Sequence, residues 1–287
     1  MGTALGIGIG IPFRRMGGGV APFQGLLDLY PNAAAAYSLR KLRADYAGAA
    51  VRIRRSSDNA ESDIGFLNNE FDSAAAQTFC GAGNGFITTW YDQSGGTDNI
   101  VNTTAANQPQ VVSGGVVITQ GGKATIQGDG SNDLLRRIGS GTSTINSLIC
   151  VYKAASLGAY NTIASIGTIT GTRPLTYMLS NALGNKRIIY DEQSTNSLDG
   201  TNTTNFELCS IFSSAGAVEM NINGSLQTLT NDTKTITANK NNIQLFGDTT
   251  YGDYFNGVIS EVIYYNSNLV ADKAGIQSNI NSYYGIY

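Results

Sequence analysis

The sequence predicts an all-β sandwich with a few short helices and an extended N-terminal arm. Two observations carry this reading. From Phe86 onward, short runs rich in Val, Ile, Thr and Tyr alternate with clusters of Gly, Asn, Asp and Ser, at the roughly ten-residue spacing of sandwiches and barrels. Charged residues make up only 14% of the chain, against about a quarter in average globular proteins, which argues against a coiled coil or a long-helix bundle. A chain of 287 residues is long enough for one large domain or two small ones.

Residues 1–31 read as the arm. Ile7, Ile9 and Ile11 alternate with Gly6, Gly8 and Gly10, and Phe13, Arg14 and Arg15 follow Pro12. Gly at every second position leaves a strand with one bare face, weak alone but easily added to another sheet. Ile7, Ile9, Ile11, Phe13, Arg14 and Arg15 are therefore the docking candidates, with a disordered terminus as the alternative. The run is not a dinucleotide fingerprint, because no strand precedes it and no helix follows.

The body is expected over residues 32–287. Asn32 reads as an N-cap for a first helix, because Ala35, Leu39, Leu42 and Tyr46 fall on one stripe before Gly48. Val51 and Ile53 alternate with Arg52 and Arg54 as in a half-buried strand. Asp72 caps a second helix from Ser73 to Cys80, which stops at Gly81. Strands follow near 86–91, 116–119, 123–127, 147–153, 162–166, 174–180, 186–190, 206–212, 217–222, 226–229, 243–246 and 255–265. Asn223-Gly224 is a type I′ hairpin signal. Residues 271–284 form a closing helix with Ile276 and Ile280 on one side.

Composition excludes several functions. The chain has no histidine, which removes Ser-His-Asp and Cys-His chemistry, His-based zinc sites and imidazole acid–base work. A net charge of −3 gives no basic surplus for phosphates, so no nucleic-acid partner is expected. Cys80, Cys150 and Cys209 lie far apart, without metal or disulfide spacing. They are expected as buried small residues in a chain made in a reducing cytoplasm. The start lacks a secretory signal pattern, and no apolar run is long enough for a membrane span. No cofactor and no metal are expected.

The polar constellations each have two readings. Asp92-Gln93-Ser94-Gly95 is either a loop for sugar hydroxyls, with Trp90 or Tyr91 as a stacking face, or a turn capped by Asp92 beside a core Trp90. Asp129-Gly130-Ser131-Asn132-Asp133 is oxygen-rich like a calcium loop but lacks EF-hand spacing, and otherwise reads as a hairpin turn. Asp248, Tyr251 and Asp253 form a polar loop, either a ligand rim or plain surface. Arg52, Arg54 and Arg55 either pair with Asp58, Glu61 and Asp63 or dock an acidic partner.

Two longer segments resemble a family. Ala36-Tyr37-Ser38-Leu39-Arg40, Val51 to Asp58, Thr78-Phe79-Cys80 and Trp90-Tyr91-Asp92-Gln93-Ser94-Gly95 resemble the first half of the α-L-arabinofuranosidase B catalytic domain. Phe255 to Tyr265, with Tyr283-Tyr284-Gly285-Ile286, resembles the closing strand and helix of laminin-G-like and concanavalin A-like sandwiches. The resemblance implies a concanavalin A-like, jelly-roll fold and a glycoside-hydrolase ancestry. By the same resemblance Asp248, in Gly247-Asp248 before the closing strand, matches the family's acid/base. The family nucleophile is a Glu in a Met-Glu-Asn-like context. The nearest stretch, Tyr177-Met178-Leu179-Ser180-Asn181, has no Glu, and Glu192 and Glu219 lie outside that context. The family's adjacent cysteine pair is also missing, as is a second Cys soon after Cys80.

With its Gly-Ile arm, the chain is also similar to tailed-phage structural proteins that carry such modules. That similarity implies a virion component, a head or tail fibre or decoration protein. It would be made in the host cytoplasm, dock on other virion proteins through the arm, assemble as a homo-oligomer such as a trimer, and contact a cell-surface glycan without catalysis. A glycoside hydrolase is the alternative.

Overall fold

The computed structural model describes residues 22–139, 144–157, 160–166, 203–214, 216–229, 242–249 and 252–287, and the backbone of 175–180, 186–191 and 194–197 with the side chain of Tyr177. The docking candidates Ile7 to Arg15, Glu192 and Tyr251 lie outside the described residues.

Two antiparallel sheets face each other. The front sheet runs in the order Ala217–Ile222, Phe206–Ser214, Ser147–Ala154 and Asn256–Tyr265. The far edge of that last, closing strand is shared: Ala33–Ser38 pairs with its second half and Ile126–Asp129 with its first. The back sheet runs Glu61–Ile64, Val51–Arg55, Gly85–Trp90, Ile100–Val101, Leu135–Ile138, Asn242–Leu245, Asn161–Ile166, Leu175–Ser180, Lys186–Asp191 and Ser194–Ser197. Gln110–Ser113 lies against Gly85–Trp90, and its Gln110 pairs with Gln127, so the hydrogen-bonded ladder turns the corner between sheets.

The facing sides share one core, in which Tyr37 meets Trp90 and Tyr152 meets both Tyr177 and Phe255. The front sheet's other side carries Ala36, Ile149, Val151, Leu208, Ile263 and Tyr265 under a second cluster. There α3, Lys273–Tyr284, buries Ile276, Ile280 and Tyr284, and α1, Leu26–Leu29, buries Leu26 and Leu27. The closing strand is therefore covered on both faces, as its apolar run requires. Its pairing shifts register beside Ser260, a bulge that lets both Ile259 and Val262 face the central core.

Three expectations need correction. The helix expected from Asn32 is a strand, Ala33–Ser38. Asn32 is not an N-cap but a left-handed break at φ 66°. Ala35 and Tyr37 face one core and Ala36 the other, so burial on both faces produced an apolar spacing that mimics a helical stripe. Leu39 and Leu42 are buried as that stripe anticipated, but from an irregular segment. The packed body also begins before residue 32, because α1 belongs to the second cluster. Short strands at Glu61–Ile64, Ile100–Val101, Gln110–Ser113 and Leu135–Ile138 were not anticipated.

Other expectations hold. Asp72 accepts from the Ala75 N–H and caps α2, Ser73–Cys80. Asn223 and Gly224 both have positive φ, as a type I′ turn demands. All three cysteines are buried thiols, and Cys150 lies directly across the ladder from Cys209.

One ion pair ties these layers together. Arg40 donates from Nε to Glu261 Oε2 at 2.7 Å and from Nη2 to Oε1 at 2.9 Å, and both side chains are buried. Ser38 Oγ donates to the same carboxylate at 2.8 Å, and Arg40 Nη1 donates to Asn279 Oδ1 at 2.9 Å on α3. Burial works against the guanidinium's charge, but Glu261 outweighs it and holds the Arg40 pKa above its ordinary value. Removing one partner leaves an uncompensated buried charge, which costs about 3–5 kcal/mol. Glu261→Gln should lower the unfolding free energy by about that amount, read from the urea midpoint. A change below about 1 kcal/mol, the range of exposed pairs, would mean the pair is not buried in solution.

Candidate active site

The outer face of the back sheet is where polar side chains gather without a helix above them among the described residues. It follows from alternation. Ile243 and Leu245 enter the core, so Asn242 and Gln244 take the opposite side. Gln244 sits between Arg136 on one neighbouring strand and Ser165 on the other. The register shift between Thr162 and Ala164 allows Ile163 and Ala164 both to pack inwards.

Asp248 is delivered to this face by a sharp turn. Phe246 is buried with φ 69°, and its N–H bonds the Ile163 carbonyl at 3.1 Å. Gly247–Asp248 then pairs with Asp253–Tyr254, placing Asp253 directly across from Asp248. The Asp248 side is buried, and Ser165 Oγ donates to its Oδ2 at 2.9 Å. Gln244 Oε1 accepts from the Thr249 N–H at 3.2 Å and from Thr249 Oγ1 at 2.9 Å, which pins the loop beside Asp248. Thr162 Oγ1 and Asn242 Oδ1 are buried with no hydrogen-bond partner.

Three other buried carboxylates have other tasks. Glu261 binds Arg40, and Asp98 binds Arg137 at 2.8 Å. Glu207, which the sequence reading overlooked, accepts from Tyr152 Oη at 2.7 Å. Tyr152 packs in the central core with Tyr177, so Glu207 looks between the sheets, away from the face that holds Asp248. Nothing in the Phe206-Glu207-Leu208 pattern marks it. Glu219 pairs with Lys273 at the far edge of the front sheet. Burial pushes its carboxyl up, but hydrogen bonds from Lys273 and Asn221 prevail and hold it below its ordinary value.

The sugar-contact reading of residues 90–93 is corrected for three of the four. Trp90 is fully buried against Tyr37 and offers no open face. Asp92 accepts from the Ala36 and Ser94 N–H groups at 2.9 and 2.8 Å. Gln93 donates to the Ser38 and Arg40 carbonyls and accepts from the Leu42 N–H. They clamp the backbone that carries Arg40. Tyr91 is half-buried and bonds Asp63 Oδ1 at 2.8 Å. Its neighbour Trp90 lies three strand steps from Asn242–Leu245, about 15 Å, so this group and Asp248 do not form one site.

Two of the three basic positions pair with the nearby carboxylates, Arg52 with Glu61 and Asp63 and Arg55 with Asp58, whereas Arg54 donates to Gln108 Oε1, Asn59 Oδ1 and the Ala105 carbonyl. Residues 129–133 form a turn in which Asp129 Oδ1 accepts from the Ser131, Asn132 and Asp133 N–H groups. Among the described residues no group of three or more Cys, Asp or Glu is placed to hold a metal ion. No helix there is long and apolar enough to cross a membrane.

A family model described as "Alpha-L-arabinofuranosidase B, catalytic" matches residues 28–165. A glycoside hydrolase family 54 α-L-arabinofuranosidase soaked with 4-nitrophenyl α-L-arabinofuranoside superposes with TM-score 0.71 at 16% identity, over 90% of this chain and 65% of that one. An arabinofuranosidase complexed with arabinofuranosyl-α-1,2-xylobiose gives 0.72 at 17% identity, over 90% and 64%. A Trypanosoma rangeli sialidase gives 0.51 at 9%, over 68% and 31%. The chain spans about two thirds of the arabinofuranosidase structures it matches. No curated protein matches. The chain has the β-sandwich fold of these arabinofuranosidases.

Burial, and then the nearby Asp129 charge, push the Asp133 carboxyl up to about 7. A carboxyl raised in the folded state favours folding fully below the ordinary carboxylate range, near 4, and loses that contribution as pH rises through about 7. Melting curves at pH 5 and pH 8 should show wild type losing more stability than Asp133→Asn. Parallel pH profiles would contradict the assignment.

Proposed function

We propose that the protein acts on glycans carrying α-L-arabinofuranosyl groups, at the outer face of the back sheet, with Asp248 as the proton donor to the leaving oxygen. The carrying observation is the placement of Asp248: buried, held by Ser165 at 2.9 Å, on a polar sheet face, in a sandwich superposable on arabinofuranosidases. A retaining glycosidase needs a second carboxyl about 5–5.5 Å away. Asp253, directly across the two-residue ladder, is the described candidate for it. Thr162 Oγ1 and Asn242 Oδ1, unsatisfied on this side of the sheet, can exchange hydrogen bonds with sugar hydroxyls. Fixed polar groups of this kind orient the glycosidic oxygen towards the acid.

The virion role expected from the arm remains a separate proposal. The relatives that match are enzymes and support the hydrolase reading instead.

The test is release of 4-nitrophenol from 4-nitrophenyl α-L-arabinofuranoside. Wild type should turn over, and Asp248→Asn should cut kcat by about 10²–10⁴ while leaving KM close to wild type. Asp253→Asn should lose turnover comparably if it is the second carboxyl. Wild type without turnover, or full activity in Asp248→Asn, would sink the assignment.

A further inference from the structure

The row of residues that crosses the back sheet through the candidate site ends in a cation. Ser165 lies opposite Gln244, and Gln244 opposite Arg136, which in turn lies opposite Val101. These four are cross-strand neighbours on one face, so Arg136 stands two strand spacings from Ser165, about 10 Å. That is close to the length of two linked sugar rings. Arg136 is exposed, and no hydrogen bond or ion pair engages it among the described residues. Its sequence neighbour Arg137 is different, since it turns to the other side and pairs with Asp98 at 2.8 Å.

The surroundings of Arg136 are apolar and open. Val101 is 41% exposed and Ile138 is 54% exposed. Ile138 shares the face by alternation and lies opposite Asn242, whose buried Oδ1 has no partner. An exposed aliphatic pair supports the flat apolar side of a sugar ring. An unpaired amide oxygen accepts from a ring hydroxyl. A free guanidinium matches a carboxylate in a bidentate fork. No neutral sugar needs the third feature.

We propose that Val101, Arg136, Ile138 and Asn242 form a subsite for an acidic sugar, a hexuronic acid residue of the glycan whose arabinofuranosyl group reaches Asp248. This rests on the proposed function for the identity of the glycan, but its own content is the charge preference.

Binding separates the two claims. Asp248→Asn serves as the background, so that no ligand is consumed. Its affinity is measured by titration calorimetry for arabinofuranosyl-xylo-oligosaccharides with and without a glucuronic acid branch. The acidic ligand should bind about tenfold more tightly at low ionic strength, the equivalent of one charge-assisted contact. That advantage should shrink in high salt. Adding Arg136→Gln should remove the advantage and leave the neutral ligand's affinity unchanged. Equal affinities in the background, or an equal loss for both ligands with Arg136→Gln, would overturn the subsite, as would no binding of either. A wild type that fails to hydrolyse but keeps the acidic preference would overturn the catalytic reading alone.

Discussion

The fold depends on satisfying one buried charge. Glu261 sits on the side of the closing strand that α3 covers, in the middle of an apolar run, and such a charge is tolerated only when paired and hydrogen-bonded. Arg40 meets it with two bonds, Ser38 with a third. Arg40 then needs a fixed backbone, and Gln93 supplies it through the Ser38 and Arg40 carbonyls. Asp92 performs the same service for Ala36. Helix α3 joins through Asn279, and Tyr283 stacks its ring 4.8 Å from the Arg40 guanidinium. One pair thus sets the position of the opening strand, the loop after Trp90, the closing strand and the final helix.

This changes what the family-like residues signify. Ser38, Arg40, Asp92 and Gln93 lie in the segments that resemble arabinofuranosidases, Glu261 lies in the closing strand that resembles concanavalin A-like sandwiches generally, and the structure places all of them in that scaffold. The matched region, residues 28–165, supplies much of the network but stops at Ser165, the residue that holds Asp248. The residues that carry the resemblance serve the scaffold, and a motif that predicts the fold well says little about turnover.

The β body was legible because alternation and turn chemistry agree over most of it. Asn223-Gly224 could only be a tight hairpin, and Asp72 could only be a cap before Ser73–Cys80. The opening strand was not legible, because Ala33–Ser38 is buried on both faces and small residues of that kind have no period of their own. Asp248 was legible through its neighbours Gly247 and the closing strand. Its partner Ser165 was not, since a contact between residues some eighty positions apart leaves no local trace. Glu207 was hidden for the same reason: its tyrosine partner is fixed by pairing across the Ser147–Ala154 ladder. Trp90 stayed open between sugar platform and core anchor because an alternating strand does not announce which of its sides meets the other sheet, and the structure shows the core anchor.

The position of the closing strand has a consequence for how the chain reaches this state. Asn256–Tyr265 fills the slot between Ser147–Ala154 on one edge and Ala33–Ser38 with Ile126–Asp129 on the other. Until it has left the ribosome, those strands have open edges and Arg40 has no counter-charge. Most of the sandwich is therefore synthesised before its keystone exists. Pairings so distant in sequence are slow to form, and unpaired edges invite neighbouring chains in the meantime. A nascent chain of this design must be kept apart from its copies for the time that translation of the last strand takes.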